Sequence, residues 1–315
     1  MSRVHVLFEN EAWMPPLRSA LAARGLTVVD HPTEGGTLDL SEAPPDGVWI
    51  NRMSPSSHTR NHQGGVLFVR ELLLHLEAHG RRVINGSRAF SLELSKIRQD
   101  LALRRAGILT PRTIGVVGGP EALKRAARTI PTPFITKHNQ GGKGLGVRLF
   151  ERLDVFDAYV DGPDFEDGID GVTLLQQYIR PREPYITRVE IVGGVFQYAI
   201  RSSTEGGFEL CPAVECADAK AAGEAFCPIG GGGRFQRATD ITADDPLVRA
   251  YVALMQREGI DVAGIEFVED EQGRRFTYDI NGTTNYNADV EGQHGLHGMG
   301  AVARLVEGAC HAALA

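Results

Sequence analysis

Short β-branched runs alternate with helix-patterned stretches through about the first 90 residues, and this alternation leaves few folds open. The runs are VHVLF (4–8), LTVV (26–29), VWIN (48–51) and RRVIN (81–85). Between the first two lies LRSALAARG, led in by Pro15 and Pro16 and stopped by Gly25. Proline suits a first helical turn and glycine a helix end. Between the last two, VLFVRELLLHLEAH (66–79) carries helical periodicity and ends at Gly80. A strand that must return parallel to its predecessor needs such a crossover. The expected product is a small, largely parallel α/β unit.

The rest of the 315-residue chain is too long for one simple core and reads as two further units. SLELSKIRQDLALRRAG (91–107) is expected as one helix closed by Gly107, LTPRTIGVV as a turn into a strand, and PEALKRAAR (120–128) as a helix. PFITKH and GVRLF read as a strand and its return, and VTLLQQYI (172–179) as another strand. ITRVEIVGGVFQYAIR is expected to be a hairpin turning at Gly193-Gly194. Residues 246–258 are patterned as a helix, AGIEFVED and RFTYDIN as two strands, and the stretch from Met299 onward as an amphipathic helix. The class is α/β, α+β in part. Boundaries are set at 1–92, 93–180 and 181–315.

Charge and composition exclude several functions. A formal charge of −7 argues against a general nucleic-acid binder. No apolar run approaches the ~20 residues of a membrane span. Glu9 and Glu11 interrupt any secretory h-region near the start, so a cytoplasmic location is expected. Cys211, Cys216, Cys227 and Cys310 form no C-x-x-C pair. Reduced thiols are the plainer reading than zinc.

Three constellations carry chemistry. QGGKGLG (140–146) follows a strand ending near Lys137; it is neither a Walker A loop nor a dinucleotide fingerprint. Its glycines let backbone N–H groups approach an anion, but a mobile hairpin fits equally well. Glu266 in GIEF, with Asp279 and Asn281 in YDIN, offers hard oxygen ligands. Residues 279 and 281 share a strand face, so they suit a Mg2+ site, with a solvated hairpin face as the plainer alternative. Lys96, Lys137, Arg188 and Arg201 are cations beside apolar residues. Singly each reads as a snorkelling or paired side chain. Together with an acidic metal site they suit phosphoryl transfer, whose charge spreads over phosphate oxygens.

In this order the motifs resemble the ATP-grasp superfamily, in its glutathione-synthetase-like branch with the alpha-L-glutamate ligases of the RimK type. RRVINGSRAFSLELSKIRQDLALRRAGILTPRT is similar to the family's entry segment, and Lys96 stands at its first ATP lysine. PFITKHNQGGKGLGV resembles the second lysine, Lys137, with the phosphate-covering loop of Gly141, Gly142, Lys143, Gly144 and Gly146. LLQQYIRP resembles the hinge, so the resemblance places adenine at Gln176, Gln177, Tyr178 and Ile179. It implies Arg188 and Asn281 as catalytic residues and Glu266, Asp279 and Asn281 as metal ligands; Arg201, on a strand that enters the site, is a further catalytic candidate, with a structural role as the alternative.

The implied reaction is ATP-dependent: a carboxylate becomes an acyl phosphate, and an amine then displaces phosphate to give an amide. ATP and Mg2+ are the implied cofactors, with two ions and Mn2+ as a substitute. Implied partners are a small-molecule or peptide carboxylate and an amine, the latter an amino acid or a carrier protein; nucleic acid and membrane are not among them, and a homo-oligomer is open. The sequence also departs from the family. Gln177 replaces a glutamate common at the hinge, D-x-N replaces E-x-N, and Ile186 and Thr187 stand where an acid usually precedes the arginine. Glu183 is the stand-in for ribose. NGTTNYN differs from the glycine-rich segment of many glutamate ligases. Arg52, Ser54, Asn285 and Asn287 are the substrate candidates, and His58, His62, His294 and His297 read as turn or surface residues. A kinase on the same scaffold and a nucleotide-binding regulator without turnover are the alternatives.

Overall fold

The structure is a computed structural model and describes residues 3–142, 146–204 and 235–312. The first unit is a parallel sheet of β1 (Arg3–Phe8), β2 (Thr27–Pro32), β3 (Val48–Arg52) and β4 (Arg82–Ile84), in the order β2-β1-β3-β4. Its central strands are buried on both faces. Helix α1 (Pro15–Ala22) covers one face through Leu17 and Leu21. Helices α2 (Gln63–Ala78) and α3 (Ser87–Glu93) cover the other through Val69, Leu73, Leu76 and Phe90.

The expected helix over 91–107 is two helices. α3 ends at Glu93, and α4 (Lys96–Arg105) restarts after Ser95. Ser95 Oγ accepts from Arg98 N at 3.3 Å, and Asn139 Oδ1 accepts from Ile97 N at 3.0 Å. Two oxygens thus satisfy the exposed N–H groups of the new first turn.

Two antiparallel sheets follow. The smaller runs β5-β8-β6-β7, with β5 (Thr113–Val116), β6 (Phe134–His138), β7 (Arg148–Phe150) and β8 (Thr173–Gln177). Helices α5 (Gly119–Ala127) and α6 (Leu153–Val160) bury one of its faces around Phe134, Phe150 and Phe156. The larger sheet runs β11-β10-β9-β12-β13, with β9 (Tyr185–Val192), β10 (Val195–Ser203), β11 (Phe235–Arg237), β12 (Val262–Glu269) and β13 (Arg275–Asn281). The β9–β10 turn uses Gly193 and Gly194 at φ 58° and 74°, the left-handed pair that a tight two-residue turn requires. Helices α3, α4 and α7 (Pro246–Glu258) pack on one face of this sheet around Val189, Ile191, Tyr251 and Ile265. Helix α8 (Ala288–His294) and helix α9 (Gly298–Ala312) complete the chain. α9 joins the core of the first sheet through Val302, Val306 and Cys310. No helix among the described residues is long and apolar enough to cross a membrane.

Each antiparallel sheet therefore has one face packed on helices and one face left polar. The two polar faces oppose one another, and the space between them is the main cavity.

Candidate active site

The cavity holds about 400 Å³. From the smaller sheet it is lined by Ile135, Lys137 and Gln176, and from the larger by Ile186, Arg188, Glu266, Tyr278, Asp279 and Asn281. Strand register builds the second group. Arg188, Glu266 and Asp279 are direct cross-strand neighbours on β9, β12 and β13, so they form one row. Glu190, Gly264 and Asn281 form the next. Side chains two apart along each strand share a face, so both rows lie on the polar face; Asn281 of the second row lines the cavity, and Glu190 is buried against Arg188.

The middle residue of that second row has no side chain, and this matters for Arg188. A Cβ on Gly264 would lie 2.6 Å from Arg188 Nη2 and 2.8 Å from Cζ. The guanidinium occupies the space that glycine leaves. Its Nε lies 2.7 Å from Glu190 Oε1, its Nη1 3.5 Å from Glu266 Oε1, and its Nη2 donates to Thr284 Oγ1. Burial opposes its charge, but the carboxylates of Glu190 and Glu266 outweigh burial and hold its pKa above the ordinary arginine value.

Tyr278 was not expected in the site. Glu266 pairs with Asp279 but Phe267 pairs with Thr277, so β13 carries one extra residue there. Such a bulge breaks the alternation. Tyr278 and Asp279, adjacent in sequence, both line the cavity. The Tyr278 hydroxyl donates to Glu266 Oε2 at 3.1 Å.

The two lysines arrive from different elements. Lys96 opens α4, where the helix restart aims Nζ at Asp279 Oδ1, 2.6 Å away. Lys137 on β6 is 5% exposed, with Nζ 5.7 Å from the Tyr278 ring centroid. It makes no ion pair among the described residues. Burial and the neighbouring Lys96 push its pKa down to about 7, against the pull of Asp279 and Glu266. A buried ammonium with no carboxylate bonded to it is a site prepared for an anion. Asn139 ties the two lysine elements together: its backbone O accepts from Lys96 N at 3.1 Å, and its Nδ2 donates to Asp170 at 2.6 Å.

The acidic row suits a hard divalent cation. Burial and the Asp279 carboxylate raise the pKa of Glu266. Burial acts against Asp279 too, but Lys96 and Lys137 outweigh it and keep that carboxyl below its usual value. A divalent cation between the two carboxylates would relieve their repulsion. No three His, Cys, Asp or Glu side chains gather into a metal-binding group among the described residues, so the third protein oxygen would be that of Asn281.

The remaining expected residues divide. Gly141, Gly142, Gln177, Tyr178, Ile179, Ser54 and Asn285 line the cavity. Gly146 has φ 73° and lies against the His138 ring. Lys143 and Gly144 lie outside the described residues, as do Cys211, Cys216 and Cys227. Gln177 exchanges two hydrogen bonds with the backbone of Arg112. Arg52 is buried beneath the cavity rather than lining it; it donates to Thr284 O at 2.9 Å and Asn285 Oδ1 at 2.6 Å. Asn287 caps α8, accepting from Val290 N at 2.9 Å.

The structure does not bring Arg201 or Glu183 to the cavity. Arg201 pairs with Thr187, whose side chain faces away from the row of Arg188, and its Nη2 meets Asp240 at 2.6 Å. Glu183 is exposed and outside the lining. His294 and His297 are exposed around the turn at Gly295.

No family model matches the sequence. A probable alpha-L-glutamate ligase of Xanthomonas euvesicatoria pv. vesicatoria (strain 85-10) is 24% identical over 241 residues, 76% of this chain and 72% of that protein. The crystal structure of a RimK domain ATP-grasp protein from Sphaerobacter thermophilus DSM 20745 superposes with a TM-score of 0.68 at 20% identity, covering 96% of this chain and 99% of that one. The ATP-grasp ligase PsnB, solved with a minimal precursor, Mg and ADP, gives a TM-score of 0.64 at 18% identity over 98% and 97% of the two chains. The chain has the ATP-grasp fold, and its sequence resembles the RimK-type ligases, as its motifs led one to expect.

Proposed function

We propose that this ATP-grasp chain is a carboxylate–amine ligase that consumes ATP, releases ADP and phosphate, and forms an amide through an acyl phosphate. The observation that carries the reading is the buried, unpaired Lys137 facing the row Arg188–Glu266–Asp279 across one cavity. Three cations and three oxygen ligands there match what a transferring phosphoryl group needs.

In this reading Lys96 and Lys137 bind the nucleotide phosphates, and Gln176 to Ile179 hold adenine among Ile135, Val147, Ile186 and Val268, which line the same end. A substrate carboxylate oxygen attacks the γ-phosphorus; the new P–O bond forms as the β–γ bridge breaks and ADP leaves. The amine nitrogen then attacks the acyl carbon, phosphate departs, and the amine's proton passes to phosphate or solvent. Arg188 neutralises the phosphoryl oxygens and the tetrahedral oxyanion. Glu190 and Thr284 keep its guanidinium in place. Gly141 and Gly142 belong to a lid that excludes water from the acyl phosphate. Glu266, Asp279 and Asn281 would hold Mg2+, two ions in the full complex or Mn2+ in their stead, which supplies charge neutralisation at the phosphates. PsnB, solved with Mg and ADP, supports this assignment by likeness of fold. The amine acceptor lies between a free amino acid and a carrier protein, and dependence on ATP favours a cytoplasmic location.

Hydroxylamine tests the reading. With ATP, Mg2+ and the right carboxylate, the trap should yield a hydroxamate without any amine. A stable phosphorylated product instead would make the protein a kinase. ADP release at background across carboxylates and amines would leave only a nucleotide-binding role.

A further inference from the structure

Away from the phosphate end, the cavity changes character. Trp13, Pro16, Pro55, Tyr286, Ala288 and Met299 form an apolar wall. The polar groups at this end are Ser54, Ser56, Thr283, Asn285, the Tyr286 hydroxyl, which has no hydrogen-bond partner among the described residues, and two acids, Glu93 and Glu291. Every lining cation among the described residues belongs elsewhere. Lys96, Lys137 and Arg188 face the acidic row, and His138 lies under the lid with Nε2 3.1 Å from Glu166 O. Two arginines that touch residues of this end are already committed. Arg52 gives both terminal nitrogens to Thr284 O and Asn285 Oδ1, and Arg60, whose guanidinium lies over the Trp13 ring 5.0 Å from its centroid, is paired with Glu9.

Glu291 is built for one task. The Tyr198 hydroxyl donates to its Oε1 at 2.9 Å, and Gly298 N donates to the same oxygen. Tyr198 is 2% exposed, so that anchor is fixed. Oε2 receives no donor among the described residues, although the residue lines the cavity. A carboxylate held by one oxygen and open at the other is a receptor for a donor, and an ammonium group satisfies it best. Glu93, by contrast, is taken: its Oε1 accepts from Thr283 N at 2.7 Å.

We infer that this end of the cavity selects a free amino acid with an uncharged, apolar side chain. Glu291 Oε2 takes the ammonium group, Trp13, Pro16 and Met299 take the side chain, and the carboxylate points toward Arg188, where it would be phosphorylated. The inference rests on the ligase reading for that last step only. It sets this chain apart from the relatives named for glutamate. A glutamate side chain here would bring a second carboxylate beside Glu291 and Glu93 with no uncommitted cation among the described lining residues to receive it, and an unpaired buried charge is costly.

Isothermal titration of the full chain, saturated with Mg2+ and a non-hydrolysable ATP analogue, tests this without turnover. The probes are L- and D-leucine, L-glutamate and N-acetyl-L-leucine. At least one leucine should bind ten-fold or more tighter than glutamate and than N-acetyl-leucine. Glu291→Gln should remove the preference for the free amine while leaving the weak N-acetyl-leucine affinity unchanged. Trp13→Ala should weaken leucine and leave the nucleotide analogue alone, so it carries the test if Glu291→Gln does not fold. Absence of leucine binding, glutamate binding as tightly, or equal binding of the acetylated form would each overturn the inference. A failed hydroxylamine trap beside intact leucine binding would instead count against the ligase reading.

Discussion

Replacing Gly264 with alanine puts a methyl group where the Arg188 guanidinium lies, 2.6 Å from Nη2 and 2.8 Å from Cζ. No Cβ tolerates such contacts, so the guanidinium must move. Moving it strips Glu190 of its partner, and the Glu190 side chain is only 1% exposed. Overpacking costs about 1–3 kcal/mol, and breaking a buried pair by removing one partner costs about 3–5 kcal/mol. A partly displaced arginine falls between, so Gly264→Ala should lose about 3 kcal/mol of stability and about 100-fold in kcat. The discriminating measurement is a double-mutant cycle by urea denaturation with ADP release alongside. Arg188→Ala removes the group that the methyl would strike. In that background the glycine substitution should add no more than about 0.5 kcal/mol. If Gly264→Ala is as stable and active as the parent, or if the two losses simply add, the account of the second row is wrong.

Other perturbations probe separate parts of the molecule. Lys137→Ala removes a charge-assisted contact worth about 1.5–3 kcal/mol and should raise the KM for ATP roughly 10- to 100-fold; an unchanged KM would remove this lysine from the phosphate site. Asn85 bonds through Oδ1 to the N–H groups of Asp261 and Val262, and through Nδ2 to Val262 O and Gly282 O. Asn85→Ala leaves buried backbone groups unpaired and should cost about 3 kcal/mol in chemical denaturation. Burial lowers the pKa values of His5 and His31 from 6.5. A folded-state pKa below the unfolded one means that the unfolded chain binds more protons. The stability these rings contribute is therefore complete above about pH 6.5 and drains away as the pH falls through their lowered values. Urea midpoints should fall less steeply below that pH in His31→Phe than in the parent.

Much of this architecture was legible because local patterning and tertiary structure agree. The alternating runs around VHVLF and VWIN became a parallel sheet, and Gly193-Gly194 became the hairpin turn. What stayed hidden depends on register or on distant partners. Arg201 sits in an apolar strand exactly as Arg188 does, and only pairing with Thr187 shows that it faces the helices. The bulge at Tyr278 leaves no trace in FTYDIN, whose residues alternate acceptably either way. The break before Lys96 follows a continuous helical pattern, and part of its cap comes from Asn139, 44 residues away from Ser95. Glu190 and Gly264 gave no signal because their roles exist only beside Arg188.

The packing of α9 into the first sheet has a bearing on how the chain is made. β1 is synthesised long before α9, yet Val302, Val306 and Cys310 belong to the same core as Val4 and Val6. Until α9 emerges, α1 and the later strand residues Val192 and Val262 cover only part of that face, and its apolar strip stays open to water. The core of the first unit is therefore complete only once α9 has been made, and a polypeptide halted before it would carry an adhesive sheet face for chaperones or neighbouring chains to find.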